Sequence, residues 1–271
     1  MLQKWPGWLD EGGEISESRV MKLLKIFSAM AALGMTASIA SADEPKFSVS
    51  LDGIKEPPEG FEALFNGKDL TGWFGHGTKD PWMLFEMDKE QLEKHWESTM
   101  ENINQHWSVK DGVLINDGKG LYLSTRKNYA DFELLLEYKT VPRADSGIYL
   151  RGVPQVQIWD STEEGKFKLG ADKGSGGLWN NPKGSAGKDP LKKMDKPFGE
   201  WNQFRIIMIG EKVSVWLNGE KVVDEAVMSN FFDRKNPIFP SGPIQLQTHG
   251  GEIQWRNIFI REITDEGAKK K

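Results

Sequence analysis

The chain of 271 residues has no cysteine. That excludes a disulfide framework and a lipid-anchored cysteine, so stability has to come from the core alone. Its four histidines, at positions 76, 95, 106 and 249, leave few choices for a histidine base. G-x-S-x-G, P-loop and H-E-x-x-H patterns are missing, and with them the signatures of a serine nucleophile, a phosphate cradle and a zinc peptidase. No E-x-D-x-x-E cluster lies on a strand. Glu133 and Glu137 share a strand face, but at about 3.3 Å per residue they stand roughly 13 Å apart. The carboxyl pairs of glycosidases need about 5 to 9.5 Å, which leaves only carboxyls from different strands to converge. The net charge of −5 gives no basic surface for nucleic acid.

Long apolar runs are also missing. The longest, residues 26–40, is shorter than the roughly 20 residues that cross a bilayer and is rich in Ala, Ser and Gly, so no permanent membrane anchor is expected. Lys22 and Lys25 precede it and Ala40-Ser41-Ala42 follows it, the pattern of a cleavable leader spanning 21–42. Residues 1–20 are polar and acidic, the wrong composition to precede a leader, and are read as an upstream extension with the start at Met21. The expected product is periplasmic or secreted: a linker at 43–60, one domain at 61–263 and a polar tail at 264–271.

Within that domain, period-two alternation broken by Gly and Asn turns predicts strands at 132–138, 146–151, 154–159, 201–209, 213–217, 243–248 and 255–262. Asn218-Gly219 is a strong hairpin signal and Asp111-Gly112 a weaker one. One helix interrupts them. Leu92, Trp96, Met100 and Ile103 form its apolar stripe, Asp88 with Gln91 resembles a capping box, and His95 beside the stripe reads as a surface histidine. Many strands without a βαβ rhythm predict an all-β protein, two antiparallel sheets packed as a jelly-roll sandwich. Residues 161–200, rich in Gly and Pro, form a long loop, and Trp179 within it argues for a functional loop over a disordered one.

Strand parity gives the sharpest clue, because residues two apart share a face. Tyr149 and Arg151 oppose Ile148 and Leu150; Gln155, Gln157 and Trp159 oppose Val156 and Ile158; Gln245, Gln247 and His249 oppose Ile244 and Leu246. If these strands are neighbours, their polar faces merge into one shielded patch. Such a patch would suit a carbohydrate, since amides and guanidinium bridge sugar hydroxyls and rings stack on sugar faces. His249 ends its strand before Gly250-Gly251 and reads either as a base on that face or as a turn histidine.

The motifs FEALFNGKDLTGW at 61–73, ADSGIYLRG at 144–152, VQIWD at 156–160, GEWN at 199–202, LNG at 217–219, GPIQLQTHG at 242–250 and RNI at 256–258 resemble the 3-keto-disaccharide hydrolase family. The resemblance implies a concanavalin A-like jelly roll and an exported enzyme acting on oligosaccharides or other glycosides oxidised at carbon 3. A ketone there acidifies the proton on carbon 2, and its loss lets the aglycone leave from carbon 1, so elimination followed by hydration needs a base rather than two carboxylates. The resemblance favours His249 as that base, with Asp160 as its partner or alternative, and Arg151 or a bound divalent cation to stabilise the enolate. Trp179 and Asn180 would close over the sugar. Gln155 stands where relatives often have Glu, which removes one acid or metal ligand. Asp145 is a further candidate carboxylate, although an Asx turn is the commoner role for such a residue. The competing readings are a non-catalytic, lectin-like carbohydrate-binding module and, behind it, a structural domain of the cell envelope.

Overall fold

A computed structural model describes residues 54–264; the leader, the upstream extension and nearly all of the polar tail read from the sequence lie outside the described residues. Strand β6 (Phe132–Thr140) shows how the sandwich is built. Phe132, Leu134, Leu136 and Tyr138 point inward to the core, and Glu133 and Glu137 point to the opposite face. These glutamates are buried as well, but Arg205 and Arg261 hold Glu133 while Arg256 and Asn257 hold Glu137. They lie on the outside of the large sheet, apart from any catalytic pair.

The strands in chain order are β1 (Glu62–Ala63), β2 (Trp73–His76), β3 (Trp107–Lys110), β4 (Val113–Asn116), β5 (Tyr122–Thr125), β6, β7 (Asp145–Leu150), β8 (Val153–Trp159), β9 (Asn202–Ile209), β10 (Lys212–Leu217), β11 (Glu220–Val227), β12 (Gln245–Leu246) and β13 (Ile253–Glu262). They form an eight-stranded antiparallel sheet in the order β11-β10-β9-β6-β13-β4-β3, with β1 added on β13, and a five-stranded sheet in the order β2-β5-β12-β7-β8. Trp73, Trp255, Tyr138, Phe74, Phe132 and Phe204 are the largest fully buried side chains among the described residues. The architecture is the expected all-β jelly roll.

Both hairpin signals are realised. Asn218 and Gly219 have φ of 53° and 86°, and Asp111 and Gly112 have 52° and 76°, the paired positive values that a two-residue turn matching strand twist requires. The strand expected at 243–248 shortens to two residues, and Ile244 N–H at its start bonds the Thr125 hydroxyl rather than a strand carbonyl. Helix α1 (Trp82–Phe85) is one turn; helix α2 (Lys89–His106) carries the full Asp88–Gln91 capping box and packs on β2 through Thr99 and Ile103. Gly75 permits that approach, since a Cβ there would lie 2.9 Å from Thr99 Cβ and 3.0 Å from Ile103 Cγ1.

The long loop is ordered and includes two 3-10 turns, Glu164–Leu169 and Ala171–Lys173. Gly176 and Gly177 exchange backbone hydrogen bonds with Gln157 on β8, Leu191 N–H bonds Val222 on β11, and Leu178 enters the core. β8 and β11 are the edge strands of their sheets, so this loop covers two otherwise open edges.

Candidate active site

Register assembles the polar face from five strands. One cross-strand row runs Phe74, Ser124, Gln245, Tyr149, Gln155. The next contains His76 opposite Tyr122, and Gly147 opposite Gln157, with Gln247 between them. Tyr149, Gln155, Gln157, Trp159, Gln245 and Gln247 are all 7% exposed or less, so the face is shielded. Gln245 donates to the Ser124 hydroxyl and Gln247 to the Tyr122 hydroxyl. Gln155 Nε2 donates to Gln157 Oε1, and Gln157 Nε2 donates to Asp145 Oδ1 at 2.9 Å. Gly147 makes room for this chain, since a Cβ there would sit 2.7 Å from Gln155 Oε1. The carbonyl oxygens of Gln155 and Gln247 and the Nε2 of His76 are buried without a hydrogen-bond partner. Each such group costs about 1–3 kcal/mol, and a polyhydroxylated ligand would satisfy them.

At the end of this face stands an ionic cluster. The pairing of β12 with β7 continues beyond the short ladder, with Gln247 N–H on Gly147 and Asp145 N–H on Gly250, and sets His249 against Asp145. His249 Nδ1 lies 3.2 Å from Asp145 Oδ2, and Lys166 Nζ lies 3.0 Å from the same oxygen and 3.1 Å from Glu163. Burial pushes the Asp145 carboxyl up, but hydrogen bonds and charge from His249 and Lys166 outweigh it and hold it below its ordinary value. The hydrogen bond to Asp145 raises the pKa of His249, against partial burial. Burial disfavours the charged Lys166, yet its bonds to Asp145 and Glu163 raise its pKa on balance. An ionised Asp145 only accepts, so neutral His249 keeps its proton on Nδ1 and presents a bare Nε2. The His249 side chain is 63% exposed, open to a reactant where its neighbours are not.

Other expected residues fall elsewhere. Arg151 does not continue the alternation: its φ of 55° turns the backbone, and the guanidinium is held by the carbonyls of Ala130 and Phe239 and by Asp131 at 2.8 Å. Asp160 does not pair with His249. It accepts from the Thr162 backbone and hydroxyl and from Arg143 N–H, an Asx-turn role; burial raises its pKa, but these bonds bring it below the ordinary value. Trp159 donates its indole N–H to Gly174 and meets Trp179 edge-on at 6.2 Å, while Trp179 donates to Leu169. Asn180 is buried, and its backbone carbonyl accepts from Arg234. His95 is not a simple surface residue: half-buried on α2, it faces His76 with ring centroids 6.2 Å apart. Among the described residues no three acidic or histidine side chains are grouped to hold a metal. Sequence reasoning missed Lys166, which a loop turn brings in, and His76 and Tyr122, whose strands are too short for their alternation to stand out.

The fold and this face define a two-sheet jelly roll with a shielded, amide-lined face. Residues 60–261 match the family described as a 3-keto-alpha-glucoside-1,2-lyase-like domain, and the chain belongs to that family. It is 23% identical over 276 residues to the 3-keto-disaccharide hydrolase of Bacteroides thetaiotaomicron, covering 86% of this chain and 87% of that protein. Two crystal structures from Parabacteroides distasonis, each given the provisional description of glycosyl hydrolase, are similar at TM-scores of 0.51 and 0.52 with 26% and 25% identity. They cover 76% and 75% of this chain and 85% and 99% of their own.

Proposed function

We propose that the protein is an exported enzyme that cleaves 3-keto-glycosides, 3-keto-disaccharides among them, by elimination and hydration. The observation that carries this reading is the His249–Asp145 pair at the open end of a row of buried amides. His249 Nε2 takes the proton from carbon 2, and the electron pair delocalises onto the carbon 3 oxygen as an enolate. Lys166, sharing Asp145 Oδ2 with His249, is the cation beside that charge. It takes the role first given to Arg151, whose guanidinium is committed to backbone carbonyls and Asp131. Collapse of the enolate breaks the bond from carbon 1 to the aglycone oxygen, which receives a proton from the His249 imidazolium. Water then adds across the resulting double bond, hydroxyl to carbon 1 and proton to carbon 2, and releases the free 3-keto sugar.

The buried acceptors on Gln155 and Gln247 would hold sugar hydroxyls, and Asp145 fixes the tautomer of the base. The test is incubation with a 3-keto-disaccharide. Release of both sugars by the wild type and its loss in His249→Ala are expected. Sugar binding without any turnover, with or without added divalent metal, would make the chain a lectin-like module.

A further inference from the structure

At the β2 edge of the same sheet, two imidazoles face each other with nothing assigned to them. His76 and His95 have ring centroids 6.2 Å apart at 78°, and the Nε2 atom of each is buried without a hydrogen-bond partner. Phe74 and Trp96 flank them, with centroids 5.8 Å apart, and Phe74 lies 6.1 Å from His95. His76 shares its row with Tyr122, whose hydroxyl accepts from Gln247, so this pair is continuous with the amide face.

Both rings are neutral at neutral pH. Burial is the largest cause, bringing His76 down to about 4 and lowering His95, and Lys79 beside both opposes any added positive charge. The other nitrogen of His76 bonds the Lys79 backbone, which leaves its Nε2 as an acceptor. A neutral acceptor next to a second neutral imidazole, both against aromatic rings, repels an anion's lone pairs, and Lys79 disfavours a cation. What fits is a hydroxyl, which donates to one nitrogen and bonds the other.

We propose that His76 and His95 form the subsite for the substrate's leaving sugar, gripping one of its hydroxyls. This rests on the reading that the face takes a 3-keto-disaccharide with its keto ring beside His249. β2 lies two strands from β12, roughly 10 Å at about 4.8 Å per strand, so the second ring reaches it while the first occupies the amide row.

The experiment compares a 3-keto-disaccharide with phenyl 3-keto-glucoside, whose leaving group has no sugar hydroxyl, in wild type, His95→Phe and His95→Gln. His95→Phe keeps the ring packing and removes both nitrogens. It should raise KM for the disaccharide about tenfold, the worth of one hydrogen bond of about 1.4 kcal/mol, with kcat unchanged. KM for the phenyl glycoside should stay the same, and His95→Gln should recover much of the loss. Equal effects on both substrates, or none on either, overturn the subsite. If the wild type turns over neither substrate, the catalytic reading fails separately, and calorimetry with the disaccharide decides: binding weakened in His95→Phe supports the subsite, and unchanged or absent binding overturns it.

Discussion

His249 Nδ1 stands 3.2 Å from Asp145 Oδ2, a contact made because the chain after β12 runs antiparallel beside the start of β7. It gives an exposed imidazole a fixed tautomer and a raised pKa. The carboxylate is itself fixed on its other oxygen by Gln157. Orientation of this imidazole is thus built from backbone register rather than from a flexible loop.

Asp145→Asn should lower kcat/KM by about 10² or more, within the range that positioned acid–base groups contribute. The base works only when neutral, so wild-type activity rises with pH through the raised pKa of His249. Without the carboxylate that limb of the pH–rate profile should move to lower pH. A profile left in place would detach Asp145 from the base.

Lys166→Met should reduce kcat more than it changes KM, since a cation beside the enolate acts mainly in the transition state. Circular dichroism and thermal melting should show a folded variant, because the side chain comes from a loop turn outside the core. An unchanged kcat would make Lys166 a structural partner of Asp145.

His76 makes stability depend on pH. Its unfolded pKa is about 6.5 and burial holds the folded value at about 4, with His95 and Lys79 facing it. The folded state therefore binds fewer protons over that interval. This contribution is complete above the unfolded value and is lost as pH falls through the folded one, a change of about 3 kcal/mol over the window. His249 has the opposite sign: its raised pKa stabilises most at low pH and less as pH rises. Urea unfolding from pH 7 to pH 4 should show a steeper decline in wild type than in His76→Gln, and parallel curves would count against a buried neutral His76.

Asp160→Ala should destabilise by about 1–3 kcal/mol through the loss of its bonds to Thr162 and Arg143, with kcat of the folded fraction retained. Chemical denaturation set beside active-site kinetics would show this. A large loss of kcat with stability intact would return Asp160 to the chemistry.

Alternation and turn residues were enough to read the two-sheet fold, both hairpins, the capping box of α2 and the face carrying Tyr149, Gln155, Gln157, Gln245 and Gln247. Periodicity reports which face a residue takes and is silent about which strand lies next to it. The pairing of Asp145 with His249 depends on β7 meeting β12, a non-local register. Arg151 was assigned by continuing the alternation one residue too far, into a positive-φ turn. Lys166 approaches from a 3-10 turn whose path over the sheet edge is set by tertiary contacts, and no spacing rule points to it.

The most direct test of the account is the isotope effect on kcat/KM with a 3-keto-disaccharide deuterated at carbon 2. Proton abstraction by His249 predicts a clear primary effect in the wild type, together with loss of turnover in His249→Ala. Equal rates for the protiated and deuterated substrates, with His249→Ala still active, would contradict it.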